Sequence, residues 1–276
     1  MAQAVFIDSA SLAASKTCKT SVAAAFSKAA EGYDNHAAFQ RDVGLRLLDY
    51  LPQDLTGKRV LDLGCGTGFF SQRLLARGAQ VVCCDLSSAM LEKAKQRCGC
   101  DNIEYRCGDA EDLPFCDDQF DYVFSSLALQ WCDDLSLPLK EIRRVVKPGG
   151  RALFSTLLDG SLLELKKAWG KVDTYQHVND FVSLNQVKIA LAQARCQNHH
   201  LDLPTIVVWY DRAFSLMRDL KGIGANYVVS EAAGRSQGLT SRQALLQVER
   251  EYQTFEKNHQ GLLPATYQVC LGIINL

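Results

Sequence analysis

Three glycines and three acids give the chain its clearest chemical potential. Asp62-x-Gly64-x-Gly66-x-Gly68 follows a short apolar run, Asp85 stands further on, and Asp109 is followed by Ala110. A glycine-rich turn between a strand and a helix lets the backbone approach a ligand at the carboxyl edge of a sheet. An acid about 20 residues on, at the end of the next strand, is placed to accept hydrogen bonds from ribose hydroxyls. The spacing argues against a dinucleotide, whose fingerprint needs a small residue where Phe69 stands, and against a P-loop, because no Gly-Lys-Ser/Thr follows. No Ser/His/Asp triad or paired-carboxylate arrangement stands out. The eleven cysteines include no Cys-x-x-Cys pair. That pattern predicts no metal site and no disulfide framework, only free thiols in a reducing, cytoplasmic setting.

The elements around these residues follow a regular rhythm. Residues 58–63, 80–84, 103–107, 120–125 and 152–156 read as short strands, and helical patterns with Leu74, Met90 and Leu91 on one face separate them. Ser87 or Ser88 is the expected cap of the helix after the second strand. Lys147 to Gly150, with Pro148 inside, is expected to turn. Alternating strands and helices predict βαβ units and a parallel sheet. Upstream, residues 21–30 and 36–51 read as two helices broken at Gly32-Tyr33. After the fifth strand the rhythm breaks. Residues 162–171 and 183–194 read as helices of an inserted lid, and His199-His200 as loop. A strand (206–210), two helices (211–221 and 241–257) and a last strand (266–275) complete the reading.

The expected organisation is a flexible tail over residues 1–18 and one domain over 19–276. Cap helices occupy 19–51 and a lid insertion about 157–200. The length suits one large α/β domain, and 47% apolar residues suffice for its core. A net charge of −1 argues against general nucleic-acid or anionic-membrane affinity. No segment reaches the ~20 apolar residues of a membrane span.

The glycine pattern resembles motif I of class I S-adenosylmethionine-dependent methyltransferases. The resemblance implies a Rossmann-like α/β fold with a seven-stranded, mostly parallel sheet and a helical lid. It implies S-adenosyl-L-methionine as cofactor, leaving S-adenosyl-L-homocysteine, and no metal. It places Asp62, Gly64, Cys65, Gly66 and Gly68 at the methionine part, with Asp62 toward the ammonium group. Asp85 falls at the ribose, Leu86 and Met90 beside the adenine, and Asp109-Ala110 near its amino group.

Other stretches resemble the malonyl-acyl-carrier-protein O-methyltransferases of biotin synthesis. They include Leu127 to Cys132 with Gln130-Trp131, Val172-Asp173 with His177 and Asn179, and Leu220 to Asn226 with Lys221-Gly222-Ile223-Gly224. This resemblance implies a malonyl thioester as acceptor, on carrier protein or coenzyme A. A carboxylate with an ordinary pKa of roughly 3–4 is ionised at neutral pH, so no general base is required. Tyr33, Gln130, His177, Asn179, Arg218 and Lys221 are the substrate-positioning candidates. Lys166, Lys167 and Lys171 are ranked ahead of Arg143, Arg144 and Lys147 for docking an acidic carrier protein. A quinone C-methylating enzyme, a non-catalytic nucleotide-binding module and a nicotinamide oxidoreductase remain as alternatives.

Overall fold

The computed structural model describes the backbone of residues 9–225 and 242–276, and the side chains of 19–225 and 242–276. Helices α1 (Ser9–Ala29), α2 (Tyr33–His36) and α3 (Ala38–Leu48) precede the sheet. Strands and helices then alternate: β1 (Arg59–Leu63), α4 (Phe69–Ala76), β2 (Gln80–Asp85), α5 (Ser88–Cys98), β3 (Ile103–Cys107) and β4 (Phe120–Ser126). A 3-10 turn (Leu129–Trp131) leads to α6 (Ser136–Val145) and β5 (Val146–Leu157). Next come α7 (Leu163–Gly170), α8 (Leu184–Gln193), β6 (His199–Asp202) and β7 (Thr205–Tyr210). The chain closes with α9 (Ala213–Gly222), α10 (Arg242–Tyr252) and β8 (Leu263–Asn275).

Among the described residues the sheet has eight strands in the order β3-β2-β1-β4-β5-β8-β6, with β7 paired to β8 off this path. Pairing is parallel from β3 through β5 and antiparallel wherever β8 takes part. The inner strands are apolar on both faces, as parallel strands covered on both sides must be. Val60 and Cys83 join the core cluster shared with α3, while Leu61 and Val82 join the cluster under α6 and α8. Ser87 caps α5 by accepting from Met90 N at 3.2 Å.

The structure differs from the sequence reading at four places. The eighth strand is β6, where a polar loop was expected. It pairs at the edge from His199↔Ile274 to Asp202↔Leu271, and an edge strand needs no apolar alternation. Residues 147–150 continue β5 through a register shift opposite Phe120 and Tyr122, with Gly149 at φ 79°, where a turn was expected. Helix α1 begins at Ser9, within the expected tail; residues 1–8 lie outside the described residues. The expected lid divides between the two faces. Leu165, Ala168 and Trp169 of α7 pack in the cluster with Val248 and Tyr252 of α10, whereas Val187 and Leu191 of α8 pack on the opposite face. Asn226, which ends one expected stretch, and Ser241, which begins another, also lie outside the described residues.

Candidate functional site

The parallel register sets Leu63 beside Cys84, so β1 and β2 end together. A cavity with about 790 Å³ of open space lies at these ends. Gly64 and Gly66 form one side, Leu86 and Met90 give it apolar surface, and Asp109-Ala110 flank it. Gly64 sits at φ 71°, and a Cβ there would fall 2.3 Å from the Ala128 Cβ. The glycine lets the loop touch the turn after β4. Asp85 also lines the cavity; its carboxylate accepts from Gly66 N at 2.9 Å and Ser87 N at 2.8 Å. Burial raises its pKa above the usual carboxylate range. Each oxygen keeps further acceptor capacity for a ligand hydroxyl.

Three residues expected at this cavity lie behind it. Asp62 is buried beneath the loop and accepts from Ser71 Oγ at 2.5 Å, while burial pushes its pKa up to about 7. The Cys65 thiol is also buried, and the neighbouring Cys83 thiol and burial raise its pKa. Gly68 packs against Ala94 of α5. These residues shape the loop from below. Asp109 is already engaged, accepting from Lys19 Nζ at 2.6 Å and from Glu111 N at 3.0 Å.

A second cavity, with about 660 Å³ of open space, adjoins the first. Phe26, Tyr33, Leu127 and Trp131 line both, so one wall serves the two. Phe26 meets Trp131 edge-to-face at 5.3 Å. Leu127 holds φ 50°, a left-handed conformation rare for a large side chain, and its N–H donates to Ser155 Oγ at 2.9 Å. Burial raises the pKa of Tyr33, with Asp85 adding to the effect, so its phenol stays a donor. Gln130, His177 and Asn179 line the second cavity as well. His177 is fixed in place: its ring stacks on Trp169 at 3.6 Å and its Nε2 lies 2.8 Å from Asp173 Oδ1.

Arg218 and Lys221 line neither cavity; both are exposed on α9. The adjoining Gly222-Ile223-Gly224 is a packing joint. A Cβ on Gly222 would lie 2.2 Å from His36 Cδ2, Gly224 abuts the Ala25 carbonyl, and Ile223 lines the second cavity. The expected docking clusters are largely ion-paired internally. Lys166 meets Asp180 at 2.6 Å, Lys171 meets Glu251 at 2.9 Å, Arg144 meets Glu141 at 2.6 Å, and Lys147 meets Asp121 at 2.9 Å.

Several residues that sequence reasoning missed complete the site. Lys19 and Val22 of α1 line the first cavity, and Lys19 bridges Asp109 and Glu111. Asp34 pins the Tyr33 turn to the glycine loop: Thr67 Oγ1 donates to it at 2.8 Å, and Arg97 pairs with it. Gln40 of α3 lines the second cavity. The amide oxygens of Gln40 and Gln130 are buried without a hydrogen-bond partner. Such groups typically cost about 1–3 kcal/mol, so each calls for an explanation. An Asp following the Tyr33 break was the only sequence signal for this set. Among the described residues no cluster of His, Cys, Asp or Glu is placed to hold a metal ion, and no helix is long and apolar enough to cross a membrane.

A family model described as a methyltransferase domain matches residues 61–154. The malonyl-[acyl-carrier protein] O-methyltransferase of Yersinia pestis is 43% identical over 256 residues, covering 93% of this chain and 91% of that protein. The biotin biosynthesis bifunctional protein of Cellvibrio japonicus is 44% identical over 251 residues; the match spans 91% of this chain and 49% of that longer protein. Among solved structures, the YcgJ protein of Bacillus subtilis superposes with a TM-score of 0.59 at 19% identity, over 84% of this chain and 97% of that one. That last likeness speaks for the fold alone.

Proposed function

The chain belongs to the malonyl-[acyl-carrier protein] O-methyltransferase family, and from that premise we propose that it methylates the free carboxylate of malonyl-acyl-carrier protein with S-adenosylmethionine, giving the methyl ester that primes pimeloyl formation in biotin biosynthesis. The observation that carries the reading is the shared wall. A cavity suited to a nucleoside and a cavity suited to an acyl group meet at Phe26, Tyr33, Leu127 and Trp131.

The lining of the first cavity fits the cofactor. Leu86 and Met90 offer apolar faces to the adenine, Asp85 offers acceptors to the ribose, and the Gly64–Gly66 backbone leaves room for the methionine part. When bound, S-adenosylmethionine supplies a methyl group on a sulfonium. The chain's own residues then have two tasks. They bring a carboxylate into line behind the shared wall, and they keep water out. Proximity alone can contribute several kcal/mol to such a transfer. The apolar wall helps, because a cation and an anion lose charge as they react, and a dry site favours that loss. Tyr33 adds a neutral donor at the junction. No residue is asked to remove a proton.

The ten described cysteines are unpaired thiols, which supports the reading of a cytoplasmic enzyme. The test is direct. The protein is incubated with S-adenosylmethionine and malonyl-carrier protein, and the acyl mass is measured. A gain of one methyl is expected, acetyl-carrier protein stays inert, and malonyl-coenzyme A run in parallel ranks the two thioesters. No mass gain from protein that binds S-adenosylhomocysteine would overturn the reading.

A further inference from the structure

We propose that Gln40 and Gln130 form a neutral carboxamide clamp that holds the acceptor carboxylate in the second cavity, in place of the cation usually expected for an anionic substrate. This deepens the methyltransferase reading above and rests on it. Gln40 lies on α3 beside Phe39, which stacks on Tyr267 at 3.9 Å. Gln130 lies in the 3-10 turn beside Trp131 of the shared wall. The two residues come from segments 90 positions apart in sequence, yet both line one cavity.

Three observations point to a ligand. Each carboxamide has a buried oxygen with no partner, and neither side chain makes a hydrogen bond to a described residue. Folded proteins seldom leave such groups unmet. The amide nitrogen of each side chain is neither buried nor hydrogen-bonded, so its two N–H donors are open to an anion. Second, among the described residues no lysine or arginine lines this cavity, and Arg218 and Lys221, the described cations nearest in sequence to its α9 lining residue, are exposed outside it. Third, two of the other polar groups are partly committed: His177 faces Asp173, and Asn179 has interactions of its own.

The choice of amides has a chemical reason. The carboxylate loses its negative charge as its oxygen bonds to the methyl carbon. A salt bridge would stabilise the starting anion more than the transition state and so oppose the reaction. Neutral donors orient the anion with less of that penalty. The clamp also explains selection of malonyl over acetyl groups, because an apolar acyl end leaves both amides unmet.

The experiment uses the full chain and its isosteric variants. For Gln40→Met and Gln130→Met we expect kcat/KM on the malonyl thioester to fall roughly tenfold to a hundredfold. Calorimetric affinity for S-adenosylhomocysteine should stay at the wild-type value, and the unfolding temperature should hold or rise as the unmet oxygen is removed. Gln130→Glu should fall further and recover as pH is lowered toward the carboxyl pKa, a signature that a merely structural amide would not give. Wild-type turnover by the Met variants would overturn the clamp, as would parallel loss of nucleoside binding. If the wild-type chain itself gives no turnover, the methyltransferase reading fails separately. Equilibrium binding of malonyl thioester to the homocysteine-loaded protein then decides the clamp: loss in the Met variants supports it, and unchanged or absent binding overturns it.

Discussion

The two cavities share a wall but are assembled differently. The first takes most of its lining from strand ends: Leu63 and Gly64 at the end of β1, Asp85 at the end of β2, Gly108 at the end of β3 and Ser126 at the end of β4. The second draws Phe39 from α3, Gln130 from the 3-10 turn, Leu162 and His177 from around α7, Ile223 from beyond α9 and Tyr267 from β8. A nucleoside can be gripped by local strand–turn–helix geometry, which the parallel sheet repeats. An acceptor must be shaped by whatever the rest of the chain folds over that edge, which is why one sheet can serve many substrates.

The largest expected effect tests the first half of that contrast. Asp85→Ala removes the acceptor for Gly66 N and Ser87 N, and with it the acceptor proposed for the ribose. Nucleoside affinity should drop by about 3 kcal/mol, on the order of a hundredfold. Calorimetry with S-adenosylhomocysteine measures it. Unchanged affinity would mean that the strand-end geometry does not grip the ligand.

The contrast also governs what the sequence discloses. Gly64, Gly66 and Asp85 were legible because turn chemistry is local, and they line the first cavity with Leu86 and Met90, which the resemblance supplied. Asp62 lies behind the cavity for a geometric reason. Strand alternation puts it on the α4 face with Ser71, one layer below the loop. At the acceptor side, Gln130 and His177 were reached only through resemblance, and Gln40 not at all. A glutamine inside an amphipathic helix carries no mark of what it faces. Lys221 drew notice through the glycines beside it, whose role is close packing. Lys19 pairs with acids 90 and 92 positions away, beyond any local pattern.

The buried acid offers the next test. Burial raises the Asp62 pKa to about 7, from an ordinary carboxylate value of 3.8. Below the lower value both folded and unfolded forms hold the proton, so folding is unpenalised. As pH rises toward 7 the unfolded chain releases that proton while the folded chain keeps it, and stability is lost. Asp62→Asn abolishes this titration while its amide oxygen can still accept from Ser71. The variant should gain on wild type by roughly 2 kcal/mol between pH 5 and pH 8. Chemical denaturation at a series of pH values measures the difference; a constant gap would show that Asp62 does not titrate in this range.

The acceptor side is probed next by Gly222→Ala. The added methyl meets the His36 ring at 2.2 Å. Overpacking of this kind costs about 1–3 kcal/mol, partly offset by about 1 kcal/mol because alanine suits a helix better than glycine. A net loss of about 1 kcal/mol is expected in thermal unfolding. Acceptor KM should rise, because Ile223 is displaced from the cavity wall, while S-adenosylhomocysteine affinity holds. A fall in nucleoside affinity would show that the two sides are not separable.

The smallest expected effect decides between two accounts of one motif. If Lys221 held the acceptor carboxylate, its loss would cripple malonyl turnover. The structure instead leaves it exposed on α9, outside both cavities, while its glycine neighbours make the contacts that matter. An exposed residue without such contacts usually changes stability by less than about 0.5 kcal/mol. Lys221→Ala should therefore keep wild-type kcat and KM on malonyl-coenzyme A, a substrate with no carrier protein to dock. Steady-state kinetics of Lys221→Ala beside Gly222→Ala makes the comparison within one helix end. A large loss from the lysine and none from the glycine would return the cation to the acceptor site and remove the reason for a neutral one.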